Sequence, residues 1–144
     1  MTQYILTNKE MAKADLLTIE SGISSLDLMF NAGKKVFNNL PVQRGKRALF
    51  ICGPGNNGGD GYVAADLILK QGMEIDIYCP ISKAKESNDN LHYKQKLNKS
   101  LFVSKIRSLS NYCYVVDALF GTGLSRTMSD DLISLINNIN QSKL

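Results

Sequence analysis

Two short stretches hold most of the residues able to do chemistry. The first, Cys52-Gly-Pro-Gly-Asn-Asn-Gly-Gly-Asp-Gly61, gathers five of the chain's 11 glycines. Glycine lets backbone N–H groups approach a bound group with no Cβ in the way. Among the glycines stand Asn56, Asn57 and Asp60, two amides and a carboxylate. Together they offer hard oxygen acceptors and amide donors, a set suited to a monovalent or divalent cation or to a polyhydroxylated ligand. A plainer reading is that Asn and Gly satisfy tight turns. A turn alone does not call for five glycines and three polar side chains in so short a span. The second stretch is Asp117-Ala-Leu-Phe-Gly-Thr-Gly-Leu-Ser-Arg126. Asp117 ends an apolar run, where a carboxylate needs a partner. Gly121, Thr122, Gly123 and Ser125 offer backbone and hydroxyl donors, and Arg126 could grip a phosphate. The plainer alternative here is an aspartate capping its own loop.

These stretches need elements to hold them. Ala48-Leu49-Phe50-Ile51-Cys52 is a continuous apolar run closed by glycine, the pattern of a strand buried on both faces. Helical spacing resumes after Gly61 through Val63, Ala64, Leu67 and Ile68, and Gly72 stops it. Ile75 to Cys79 reads as a second strand, ended by Pro80. A polar helix is expected over Asn88 to Lys99, then a short strand over Leu101 to Val103. Tyr112 to Val116 forms a further strand running into Asp117, and a last helix begins near Ser129 with Leu132, Ile133, Ile136 and Ile139 on one side. Two helices open the chain. Thr7 and Glu10 form a capping box before a stripe of Met11, Ala14 and Leu17, which Gly22 ends. Ser24 and Asp27 start the second, with Leu26, Met29, Phe30, Gly33 and Phe37 on its apolar side. Met11 and Met29 read as fillers of core gaps. Strands alternating with helices predict a Rossmann-like, doubly wound α/β fold, a mostly parallel sheet with helices on both faces. In the strand order common to such folds, the first and fourth strands flank the switch point, so both polar loops would face one crevice.

Composition removes several classes. With 144 residues, 44% hydrophobic and 21% charged, the chain carries too much apolar content for a disordered segment. Three cysteines without framework spacing exclude a disulfide scaffold, and a single histidine, His92, with no CxxC pair excludes a zinc site of the usual kind. Reduced thiols in a cytoplasm are expected. The opening MTQYILTNKE has no apolar region of a secretory signal, and nothing approaches the roughly eighteen apolar residues of a membrane span. The net charge of +4 is spread along the chain, which does not predict a nucleic-acid partner. The densest basic run, Lys83 to Arg107, includes Glu86 and Asp89 and reads as a solvated helix face and loop. Gly53, Gly55 and Gly58 formally match GxGxxG. The acid of a dehydrogenase is missing, however, because the second strand ends in Cys79-Pro80, and no Lys-Ser/Thr follows for a nucleotide-triphosphate loop.

The segments CGPGNNGGDGYVAA and VDALFGTGLSR, in that order and spacing, resemble the YjeF amino-terminal domain, the NAD(P)H-hydrate epimerase family. The opening, with Asp15, Gly22-Ile23 and Leu28-Met29 before Ala32-Gly33, is similar too, so the likeness covers nearly the whole chain. It implies interconversion of the R and S forms of hydrated NADH and NADPH, in which water has added at C6 of the nicotinamide ring. A partner dehydratase that uses one epimer would then restore the cofactor. The resemblance further implies that Asn56, Asn57, Gly58, Gly59 and Asp60 contact the substrate, with Asp60 transferring protons. Asn57 and Asp117 would bind a potassium ion, and Gly121, Thr122, Gly123, Leu124, Ser125, Arg126 and Thr127 would hold the phosphates. The family continues into another strand and an Asp-Ile-Pro-Ser-Gly loop that adds an aspartate and a potassium-binding serine. No Pro-Ser-Gly occurs in these residues. Residues 1–144 are therefore expected to be one YjeF N-terminal-like domain lacking the family's C-terminal part. The strand through Val115 and Val116 is then an open apolar edge, leaving the chain weakly stable or paired through that edge as a homodimer. The alternative function is a catalytically inactive fragment or nucleotide-binding module of the same fold.

Overall fold

The computed structural model describes residues 5–142, except residues 82, 123, 125 and 126. At its centre is β1 (Arg47–Cys52), buried at every position after Arg47. Its side chains alternate between two cores: Ala48, Phe50 and Cys52 belong to one, Leu49 and Ile51 to the other. A strand with both faces covered gains nothing from polar alternation, which is why it reads as an unbroken apolar run.

β2 (Glu74–Tyr78) and β4 (Val115–Ala118) flank β1, and the two-residue β3 (Phe102–Val103) lies outside β2. All pairings are parallel, and the order is β3-β2-β1-β4. This is the expected arrangement, with β1 and β4 adjacent at parallel pairing. Arg47 opposes Glu74 on β2, and Leu49 opposes Val115 on β4.

α3 (Asn56–Lys70) covers one face, contributing Tyr62, Ala64, Ala65 and Ile68 to the first core. α5 (Asp130–Gln141), with Leu132 buried and Leu135, Ile136 and Ile139 packed beside it, covers the other. α2 (Ser25–Phe37) buries Met29 and Gly33, and α4 (Asn88–Gln95) is a short polar helix. One-turn 3₁₀ helices follow at Lys99–Leu101 and Leu109–Asn111.

The polar helix ends at Gln95 rather than Lys99, and the strand expected over Tyr112 to Val116 runs over Val115–Ala118, so that it contains Asp117. Two further expectations need correction. α1 (Asn8–Glu20) has the predicted Thr7–Glu10 capping box, but no residue of it is buried. Met11 is 43% exposed and Leu17 54%, so the stripe is real while its partner within the described residues is not. Met29, by contrast, is buried as a core residue. The second correction concerns α3, which begins at Asn56 rather than after Gly61. Most of the glycine-rich stretch is therefore helix.

Candidate functional site

α3 starts directly after the Gly53-Pro54-Gly55 turn, and Gly55, its N-cap, makes no side-chain capping bond. The first turn of α3 thus presents backbone N–H groups with no intrahelical partner at the carboxyl edge of β1, with the positive end of the helix dipole behind them. Here the glycines mostly serve close packing. A Cβ on Gly58 would lie 1.9 Å from the Gly53 carbonyl oxygen, and one on Gly61 would lie 2.7 Å from the Ala118 Cβ on β4. These contacts bring the helix start against the sheet edge, closer than any side chain would permit.

Both predicted loops meet there. The Asn57 Nδ2 donates to the Phe120 carbonyl at 3.0 Å, a bond spanning 63 positions of sequence. A Cβ on Gly121 would sit 3.4 Å from the Asn57 Cβ. Asn57 and Asp60 are three residues apart on α3 and so share a side of the helix, next to the face on which Gly61 meets β4. Asn56 is exposed and its Oδ1 accepts from the Ser87 Oγ at 2.7 Å. Gly58 and Gly59 are buried, and Asp60 is partly buried.

Asp117, inside β4 just before the second loop, is exposed and its Oδ1 accepts the Leu119 N–H at 3.0 Å. The self-capping alternative is therefore realised, and among the described residues Oδ2 accepts no hydrogen bond. Gly121, Thr122, Leu124 and Thr127 are exposed. The Thr122 carbonyl accepts from the Asn8 Nδ2 at 3.4 Å, which ties the start of α1 to this loop. Gly123, Ser125 and Arg126 lie outside the described residues.

Asp60 is the titratable group the site perturbs. Burial pushes its carboxyl up to about 7 from an ordinary 3.8, and the charge of Asp15 on α1 adds to the rise. A carboxyl balanced near neutrality can both give and take a proton.

Asn57, whose Nδ2 donates to Phe120, offers its amide oxygen, and Asp117 offers a carboxylate oxygen with no hydrogen bond among the described residues. This is oxygen-donor chemistry at one edge, and it fits a hard cation such as potassium. No cluster of three or more His, Cys, Asp or Glu occurs among the described residues, so a transition-metal site finds no support there.

Sequence reasoning misses the role of α4. The segment reads as a solvated face, yet Asn90 is fully buried and its Nδ2 donates to the carbonyls of Gly53 (3.0 Å) and Gly55 (2.7 Å). The Asn90 Oδ1 is buried and has no hydrogen-bond partner among the described residues. Turning the amide over would set that oxygen against two carbonyl oxygens, so the orientation is fixed. A lone polar position in a polar helix carries no periodic signal of burial. On the β2 side of β1 lies a cavity of about 140 Å³, lined by Cys52, Pro54, Tyr62, Cys79, Glu86 and Lys94. Tyr62 and Cys79 are hydrogen-bonded there at 3.2 Å, and Lys94 pairs with Glu86.

Residues 25–144 match the family described as YjeF-related protein N-terminus. The chain belongs to that family. It is 34% identical over 148 residues to the NAD(P)H-hydrate epimerase of Oenococcus oeni, a match covering 99% of this chain and 70% of that protein. It is 35% identical to the NAD(P)H-hydrate epimerase of Phaeosphaeria nodorum, of which it spans 61%. The Bifunctional NAD(P)H-hydrate repair enzyme Nnr of Moorella thermoacetica is 33% identical, and this YjeF-related chain spans 29% of it. The crystal structure of yeast ynu0, YNL200c, shares the fold with a TM-score of 0.75 at 22% identity, over 94% of this chain and 64% of that one.

Proposed function

We propose that this YjeF-related domain interconverts the R and S forms of hydrated NADH and NADPH. The observation that carries the reading is the junction of two oxygen-rich loops through Asn57 and Phe120, beside an aspartate with a near-neutral pKa. The names of the epimerase relatives give the substrate class, and the bifunctional relative's printed name, a repair enzyme, supports a link to a dehydratase that consumes one epimer.

The chemistry asks for little. Protonated Asp60 gives its proton to the C6 hydroxyl, the C–O bond breaks, and water leaves as the ring nitrogen's lone pair forms an iminium. Water then adds to C6 from the other face while the Asp60 carboxylate takes back a proton. Neither step changes the oxidation state, and Asp60 ends as it began. A group near pKa 7 is divided between its two forms at neutral pH, which suits both halves. Asn56 and the first-turn N–H groups of α3 would hold the nicotinamide end. Gly121 to Thr127 would hold the phosphates, with Arg126 pairing to them. Asn57 and Asp117 would hold the potassium ion, which supplies fixed positive charge beside the substrate. The three cysteines are free. No described helix is long and apolar enough to cross a membrane.

The test is conversion of the purified S epimer to R, followed by chromatography, in potassium and in a large organic cation. We expect conversion that depends on potassium and is lost by about a hundredfold or more in Asp60→Ala, the range for removing an acid–base group. Full turnover in that variant would remove Asp60 from the mechanism. Binding of the hydrated cofactor without conversion by the wild-type chain would instead favour the second reading, a non-catalytic nucleotide-binding module.

A further inference from the structure

The start of α4 grips the glycine-rich turn at four points. The Ser87 N–H donates to the Pro54 carbonyl at 3.0 Å, and the Ser87 Oγ donates to the Asn56 Oδ1 at 2.7 Å. The Asn90 Nδ2 spans the turn, donating to the carbonyls of Gly53 and Gly55 at its two ends. The Gly55 carbonyl also accepts the Gly59 N–H at 3.3 Å, an early hydrogen bond of α3. Asn90 therefore holds the carbonyl on which the helix begins. It does so with its side chain fully buried and its own Oδ1 without a partner among the described residues.

We propose that Asn90, assisted by Ser87, is a positioning residue for the reaction: it fixes the turn and so sets where the first-turn N–H groups, Asn56 and Asn57 point. It touches no substrate. Its effect on turnover rests on the epimerase reading, whereas its effect on the turn does not, and the two are separable by experiment.

Asn90→Asp keeps the shape and, when ionised, places a carboxylate against two carbonyl oxygens. When protonated, the introduced carboxyl donates one bond back. Asn90→Leu keeps similar bulk and donates nothing at any pH. In each protein kcat and KM for epimerisation and the amide-exchange protection factors of Gly55 to Gly59 are measured at pH 6 and pH 8. We expect Asn90→Asp to lose about tenfold or more in kcat at pH 8 relative to wild type, in line with the sensitivity of turnover to small misplacements. KM should rise by less than kcat falls, because the proposed phosphate contacts of Gly121 to Thr127 lie on another loop while Asn56 and the first-turn N–H groups hold only the nicotinamide end. Both kcat and the Gly59 protection should recover part of their loss at pH 6, and Asn90→Leu should recover neither. A residue that only fills space would give the same deficit at both pH values.

Protection factors unchanged from wild type in both variants would overturn the proposal, as would equal deficits at pH 6 and pH 8 in Asn90→Asp. A wild-type chain that does not epimerise would defeat the functional reading, while the protection factors would still decide the positioning claim. Should the Asn90 variants not fold, Ser87→Ala carries the same decision: it removes the grip on Asn56, and a Gly59 protection equal to wild type would overturn the proposal.

Discussion

At Asp60 the fold keeps a carboxyl in a place where its charged form is poorly solvated. Burial is the larger cause and the Asp15 carboxylate the smaller. The folded-state value of about 7 lies above the ordinary 3.8, so the folded chain keeps a proton that the unfolded chain has lost throughout that window. Stability then falls as pH rises from about 4 to about 7. Asp60→Asn removes this dependence. After allowance for solvent screening at a partly exposed group, the variant should be more stable than wild type by about 1–2 kcal/mol at pH 8, with the gap closing near pH 4. Urea unfolding at the two pH values measures this. A variant less stable than wild type at pH 8 would show that the carboxylate is favourably paired when folded. Gaining stability while losing turnover is the pattern expected where a group is held for chemistry rather than for folding.

At the scale of elements, β1 is legible in the sequence because five successive apolar residues between a charged segment and a glycine-rich one fit little besides a strand buried on both faces. The β3-β2-β1-β4 order agrees with what alternating strands and helices predict. The start of α3 is not legible. Asn-Asn-Gly-Gly-Asp-Gly has poor helix propensity, and tertiary packing overrides it: Gly58 and Gly61 let the helix sit on the Gly53 carbonyl and on Ala118. The stripe on α1 is a true pattern without being a core face, since periodicity states which side is apolar and not what covers it. Neighbouring glycines of α3 differ in what surrounds them. A Cβ on Gly58 meets backbone oxygen at 1.9 Å, whereas one on Gly59 meets the flexible end of Met29, with Sδ at 2.3 Å, and only then backbone, the Asn90 Cα at 3.2 Å. Gly58→Ala should therefore lower stability by about 3 kcal/mol or more and Gly59→Ala by about 1 kcal/mol, read from urea midpoints. Equal losses would mean that the helix start is free to shift.

Across the whole molecule, the sheet ends at β4 on one side: among the described residues, β4 pairs with β1 alone. Val116 and Ala118 are buried in the core beneath α3, but the outer hydrogen-bonding edge is free to pair with another strand. A chain of these 144 residues should associate as its concentration rises, in sedimentation runs from micromolar to hundreds of micromolar. A strict monomer melting sharply above about 60 °C would contradict this. Most of all, two loops joined across 63 positions of sequence should form one site on one ligand. A double-mutant cycle tests this most directly, with Asn57→Ala and Asp117→Ala made singly and together and the affinity for hydrated NADH measured by calorimetry in potassium. If both loops hold the same ligand and ion, the losses will fail to add, with a coupling of about 0.5–3 kcal/mol. Losses that sum to within about 0.5 kcal/mol would mean that the two loops act separately, and the single-site account would be wrong.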